Sequence, residues 1–138
     1  SVKVADVMTA PAEALFTESS LMEAIGRFDD GKVGFPVTDE GGSLQGYCGR
    51  EELYEALRKF SPPDIRVREF MREKPPAVTE NQPLKGGILA LLLEDIDLLP
   101  VVSADGSGGL VGVLSPTAIA KKALSDFAVF RSDRGHRD

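Results

Sequence analysis

The sequence is short of the residues that build most reactive sites. It has one cysteine, Cys48, one histidine, His136, and no tryptophan in 138 residues. A single cysteine excludes an internal disulfide, and the pair together excludes a Cys/His metal centre. Cys48 lies in the strand-like run "LQGYCG", where a thiol is ordinarily a buried packing group. Long apolar runs are also missing. The longest, "ILALLL" at 88–93, is far below the ~20 residues that a membrane-spanning helix needs. No signal peptide is evident. Net positive charge is absent as well. The balance of 16 Lys and Arg against 22 Asp and Glu, a net charge of −6, argues against a general grip on nucleic acid or anionic membrane. These absences point to a reduced, cytoplasmic, soluble piece. The opening at Ser1 without an initiator Met suggests a fragment of something longer.

What the sequence does have is repetition. "VADVM" at 4–8 matches "VREFM" at 67–71, and "FTESSLMEAI" at 16–25 matches "VTENQPLKGGI" at 78–88. "GFPV" at 34–37 matches "LLPV" at 98–101, and "DEGGSLQGYCGREEL" at 39–53 matches "ADGSGGLVGVLSPTAI" at 104–119. The blocks keep their order while the offset drifts only from 62 to 66 residues, which chance does not explain. The chain therefore divides into a first repeat, residues 1–62, a second repeat, 63–127, and a polar tail, 128–138, expected to be flexible.

Each repeat reads strand–helix–strand–strand–helix. Ser20 with Glu23 has the spacing of a capping box, and Leu21, Met22, Ile25 and Phe28 share one helical face behind it. In the second copy Pro83 suits the first helical position. The helix behind it is apolar almost all round, so deep burial is expected, with Gly86 and Gly87 allowing a close helix approach. The turns "DEGGS" and "ADGSGG" join two strands in each copy. A last helix closes each unit, with Leu53, Ala56, Leu57 and Phe60, or Ala120, Ala123, Leu124 and Phe127, at core spacing. The fold class is α+β: two βαββα repeats packed sheet-to-sheet about a pseudo-twofold axis, since neither half is comfortable alone.

The ordered blocks "DVM", "GFPV" and "DEGGSLQG", with their second-copy partners, resemble the cystathionine-β-synthase (CBS) domain, here as the tandem pair called a Bateman module. The resemblance spans residues 2 to about 127. It implies regulation rather than catalysis: an adenosyl ligand (AMP, ADP, ATP or S-adenosylmethionine) held between the halves, a homodimer formed through the CBS helices, and a fused host under control. The host it suggests is a bacterial chloride channel or transporter. An intramembrane metalloprotease and a stand-alone CBS protein are the alternatives.

The same resemblance nominates the site. In the family a Ser/Thr faces phosphate at a helix start, and an Asp three residues later accepts from the ribose hydroxyls. Here the first copy has Gly49, Arg50 and Glu52 in that motif, and the second has Ser115, Pro116 and Thr117, with Ala118 where the Asp belongs. Phe35, Pro36, Leu99 and Pro100 match the segment that faces adenine. Each copy thus keeps a different half of the motif, and the Glu52 cleft is the one expected to be occupied. Helix capping by Ser115 and an acidic first turn after Gly49 explain the same residues without a ligand. Core packing likewise competes for Phe35 and Leu99. A non-binding dimerisation module is the alternative function. No nucleophile–base pair or metal set points to an enzyme.

Overall fold

The polar-to-apolar switches in the sequence become element boundaries nearly where they are expected. A computed structural model describes residues 1–29 and 31–135, from 129 onward by backbone alone. The first repeat contains β1 (Leu15–Phe16), α1 (Leu21–Arg27), β2 (Gly34–Thr38), β3 (Leu44–Gly49) and α2 (Arg50–Arg58), followed by β4 (Arg72–Glu73). The second contains β5 (Val78–Thr79), α3 (Leu84–Leu93), β6 (Leu99–Val102), β7 (Leu110–Leu114) and α4 (Pro116–Gly135). Ser20 caps α1 as its spacing predicts, its Oγ accepting from the Glu23 amide at 3.0 Å. Pro83 stands at the cap itself, one residue before α3.

Two sheets result, ordered β1-β2-β3-β4 and β5-β6-β7. The first strand of each pairs parallel with the second, and the hairpin strands pair antiparallel. Both hairpins shift register one residue before the turn, between Val37 and Thr38 and between Val101 and Val102. The hairpin tips then join across the repeats: the Leu44 amide donates to the Gly108 carbonyl at 2.9 Å, and the Leu110 amide to the Gly42 carbonyl at 3.0 Å. That reciprocity is the local form of a twofold relation.

The units that pack together are not the units that repeat in sequence. The 3-10 turn Val4–Asp6 precedes the first repeat, yet fully buried Val4 belongs to the core of the second with Val78, Leu99, Val101 and Leu114. The matching turn Val67–Glu69 precedes the second repeat, and fully buried Val67 packs with Leu15, Leu21, Phe35 and Val37 of the first. Hydrogen bonds seal the exchange. Val4 N donates to Gln82 O and Leu84 N to Val2 O, while Val67 N donates to Ser19 O and Leu21 N to Ile65 O, all at 2.8–2.9 Å. Gly46 and Gly112 explain the glycine that opens each copy of the hairpin motif. A β-carbon on Gly112 would sit 2.8 Å from Met8 Sδ and 2.9 Å from the Thr9 carbonyl, and one on Gly46 would strike Met71 and the Arg72 carbonyl.

The helices depart from expectation. Met22, Leu57 and Phe60 face solvent instead of the first core, and α2 ends at Arg58, leaving Phe60 in a left-handed conformation (φ 53°) and 93% exposed. Helix α3 is not deeply buried: Leu89, Leu92 and Leu93 are exposed, because one flank alone meets the sheet. Gly87 does permit a close approach, but to Leu114 of β7 and Val4, not to another helix. Among the described side chains of α4, those of the first turn contribute to the core, through Ala118 and Ile119. Ala120, Ala123, Leu124 and Phe127 lie on the exposed length beyond it. That helix continues to Gly135, into the segment assigned to a polar tail, and residues 136–138 lie outside the described residues.

The exchange has a measurable consequence. Val4→Ala is expected to cost about 2 kcal/mol, from two lost methyl groups and the cavity they leave. Hydrogen exchange should place the loss of protection in α3 and β7, with α1 and β2 less affected. The reverse pattern would show that Val4 serves the repeat it precedes in sequence.

Candidate functional site

The nominated residues stand where strands hand over to helices. In each copy the second hairpin strand runs without a loop into the last helix, β3 into α2 at Gly49 and β7 into α4 at Ser115. Both junctions open on a cleft between the repeats.

The cleft beside Ser115 has a volume of about 570 Å³, within the ~300–1,000 Å³ usual for small-molecule sites. Ser115, Pro116 and Thr117 form one wall at the start of α4, with Val113 of β7 beneath. Thr9, Pro11 and Glu13 enter from the exchanged N-terminal segment. Opposite are residues 31–35, ending in Phe35, and the approach to β6 adds Asp97 and Leu98. Lys32 Nζ lies 3.2 Å from Glu13 Oε2, so a cation and a carboxylate are held together at the cleft. Ser115 Oγ accepts from the Ala118 amide at 3.1 Å and caps α4, whose N-terminus turns partial positive charge toward the opening.

The cleft beside Glu52 has a volume of only about 160 Å³. Gly49, Arg50 and Glu52 line it with Arg72 of β4, Tyr47 of β3 and residues 95–97. Two of its polar groups are already engaged. Glu52 Oε1 accepts from the Gly49 amide at 2.7 Å, closing a capping interaction, and Arg50 Nε donates to the Lys32 carbonyl at 3.0 Å. Val33 and Asp97 line both clefts, so a thin partition separates them.

The structure therefore gathers Phe35, Ser115, Pro116 and Thr117 in one cleft and Gly49, Arg50 and Glu52 in the other. The Glu52 cleft, expected to be the occupied one, is the smaller of the two, and its Glu52 carboxylate is held by the Gly49 amide. Pro36, Leu99 and Pro100 line neither cleft. All three are fully buried, Leu99 within the second core. Phe35 does both jobs: it reaches the cleft wall while 2% exposed, with Phe28 edge-on at 5.0 Å and the Arg27 guanidinium over its ring. Thr9, Glu13, Lys32 and Asp97 were not anticipated. The repeat alignment assigned Thr9 to its own half and so concealed that the exchange carries it to the other.

The CBS domain model matches residues 4–59 and 67–125, so the chain belongs to the CBS domain family and carries the domain twice. Among solved structures it is similar to CBSX2 of Arabidopsis thaliana in complex with AMP, at 25% identity over 91% of this chain and 98% of that one, with a TM-score of 0.76. It is similar to AcuB of Vibrio cholerae at 22% identity over 95% and 96%, with a TM-score of 0.83. The CBS pair of protein MJ0100, in complex with 5′-methylthioadenosine and S-adenosyl-L-methionine, gives 21% identity over 91% and 98% and a TM-score of 0.75. No curated protein matches the chain. Among the described residues no helix is long and apolar enough to cross a membrane.

Two buried titratable groups on β3 bear on stability at alkaline pH. Burial, with a smaller push from the Glu52 carboxylate, moves the Cys48 thiol from its ordinary 9.0 up to about 12. Burial, then Asp97, then Glu52 raise the neighbouring Tyr47 phenol as well. The folded state thus favours both neutral forms. For Cys48 that stabilisation is complete below about pH 9 and is lost as pH rises from there toward about 12. Urea midpoints should be level up to about pH 9 and fall above it, less steeply in Cys48→Ala. An equal fall in that variant would remove Cys48 as a cause. The folded chain should also resist a thiol reagent that modifies the urea-unfolded chain readily.

Proposed function

We propose that this CBS pair is a regulatory module that binds one adenosyl ligand in the cleft beside Ser115, rather than an enzyme. The observation that carries the reading is the construction of the cleft: its walls come from both repeats and from the exchanged N-terminal segment. A ligand that touches all three stabilises one relative placement of the halves, which is how binding becomes a signal. The charges favour a ligand with little net charge. Glu13 and Asp97 offer acceptors for ribose hydroxyls where Ala118 offers none, and Lys32 with the α4 N-terminus offers modest help to one phosphate. AMP, S-adenosylmethionine or methylthioadenosine fits that balance better than ADP or ATP. The AMP complex of CBSX2 and the methylthioadenosine and S-adenosylmethionine complex of MJ0100 support the same class.

The test is a thermal-shift panel. At 100 times its dissociation constant a bound ligand adds about 2.7 kcal/mol, which raises the melting temperature by several degrees. Thr117→Trp, on the exposed start of α4, is expected to fill the cleft and abolish the shift. Glu52→Ala is expected to leave ligand affinity within about twofold, since its carboxylate caps α2 on the other side. No shift with any adenosyl ligand would remove this reading.

Association is the second part. The exposed apolar residues on α1 and α2 (Met22, Tyr54, Leu57) and on α3 and α4 (Leu89, Leu92, Leu124) support a homodimer through the helices. Leu92→Glu should halve the mass in sedimentation equilibrium without unfolding the chain. An unchanged mass would place the contact elsewhere. A fused chloride channel or transporter rests on the sequence resemblance alone, and the hydropathy of the complete reading frame tests it.

A further inference from the structure

The two clefts occupy equivalent positions in a repeated frame, yet their volumes are about 570 and 160 Å³. Backbone geometry does not account for the difference. The run Gly46–Gly49 aligns with Gly112–Ser115, and each second residue meets an exchanged segment in the same way: Tyr47 pairs with Arg72, and Val113 bridges Thr9. A Tyr–Arg pair thus lines the small cleft where a Val–Thr pair lines the large one.

The tyrosine is accommodated by missing side chains around it. A β-carbon on Gly34 would stand 2.6 Å from Tyr47 Cζ, and one on Gly49 would stand 3.1 Å from Cε2. The aligned residues in the second repeat are Leu98 and Ser115. One repeat pairs a large residue with two glycines, and the other pairs a small residue with two side chains. Tyr47 is 5% exposed and packs with the second core, so its ring is a fixed filler.

We infer that Tyr47 confines the module to one ligand per chain, its ring occupying on the Glu52 side the space that a ligand uses on the Ser115 side. The inference builds on the ligand reading for the Ser115 cleft. With the ring removed, Arg50 and Arg72 border the vacated space together with Glu51, Glu52, Asp95 and Asp97, so guanidinium groups are at hand for one phosphate and carboxylates for the ribose hydroxyls.

Isothermal titration of the full chain with AMP reads this as stoichiometry. The native chain is expected to bind one AMP, and Tyr47→Val, which copies Val113, is expected to bind two. Tyr47→Leu keeps more apolar bulk and serves if the valine variant melts without cooperativity. Tyr47→Phe retains the ring and should stay at one. The inference is overturned if a cooperatively folded Val or Leu variant binds the same number as the native chain, or if the native chain already binds two. A native chain that binds none beside a Tyr47→Val chain that binds one would remove the Ser115 reading and the count of one per native chain, and would support the ring as what fills the Glu52-side cleft.

Discussion

Everything in this fold depends on the reciprocal exchange of two short segments, each built on the spacing Val-x-x-x-Met. Val4 and Val67 are buried without residue in cores made by the other repeat, and Met8 and Met71 lie over the glycines that open the opposite hairpin motifs. Neither sheet has a complete core without its visitor. A chain of two small units, each short of the size at which a core is secure, gains one cooperative body by lending each half a piece of the other.

The clefts follow from the same exchange. Thr9 and Arg72 reach their clefts because the segments that carry them have crossed over, and the loops before β2 and β6 supply Val33 and Asp97 to both. What the frame makes equivalent, a few side chains then make unequal. Tyr47 in place of a valine, and Glu52 folded back onto the Gly49 amide, use up one cleft internally. Ala118 turns inward to the core and leaves the other open, with Lys32 and Glu13 balancing each other at its edge. Duplication supplied two clefts, and divergence at these positions separated an open cleft from a filled one.

The helices show the limits of periodicity. A 3.6-residue stripe correctly marks Leu21, Leu53 and Ala56 as core, because each helix has one flank against a sheet. It misplaces Leu57, Leu92 and Leu124, since an apolar residue on a second flank reads the same whether it meets a core or another surface. Similarly, "hydrophobic-PV" indicates burial at Phe35 and Leu99 but not that only Phe35 reaches a cleft.

The sequence by itself determined the duplication, the strand–helix grammar, the hairpin turns and the caps at Ser20 and Ser115. These rest on contacts between residues near one another in the chain, and the repeat wrote each of them twice. The tertiary structure alone decided which half Val4 and Val67 serve, which cleft has room, and what Tyr47 does there. Those outcomes depend on packing between residues tens of positions apart, where the volume of one side chain and the bareness of a facing glycine are fixed only when the chain is closed.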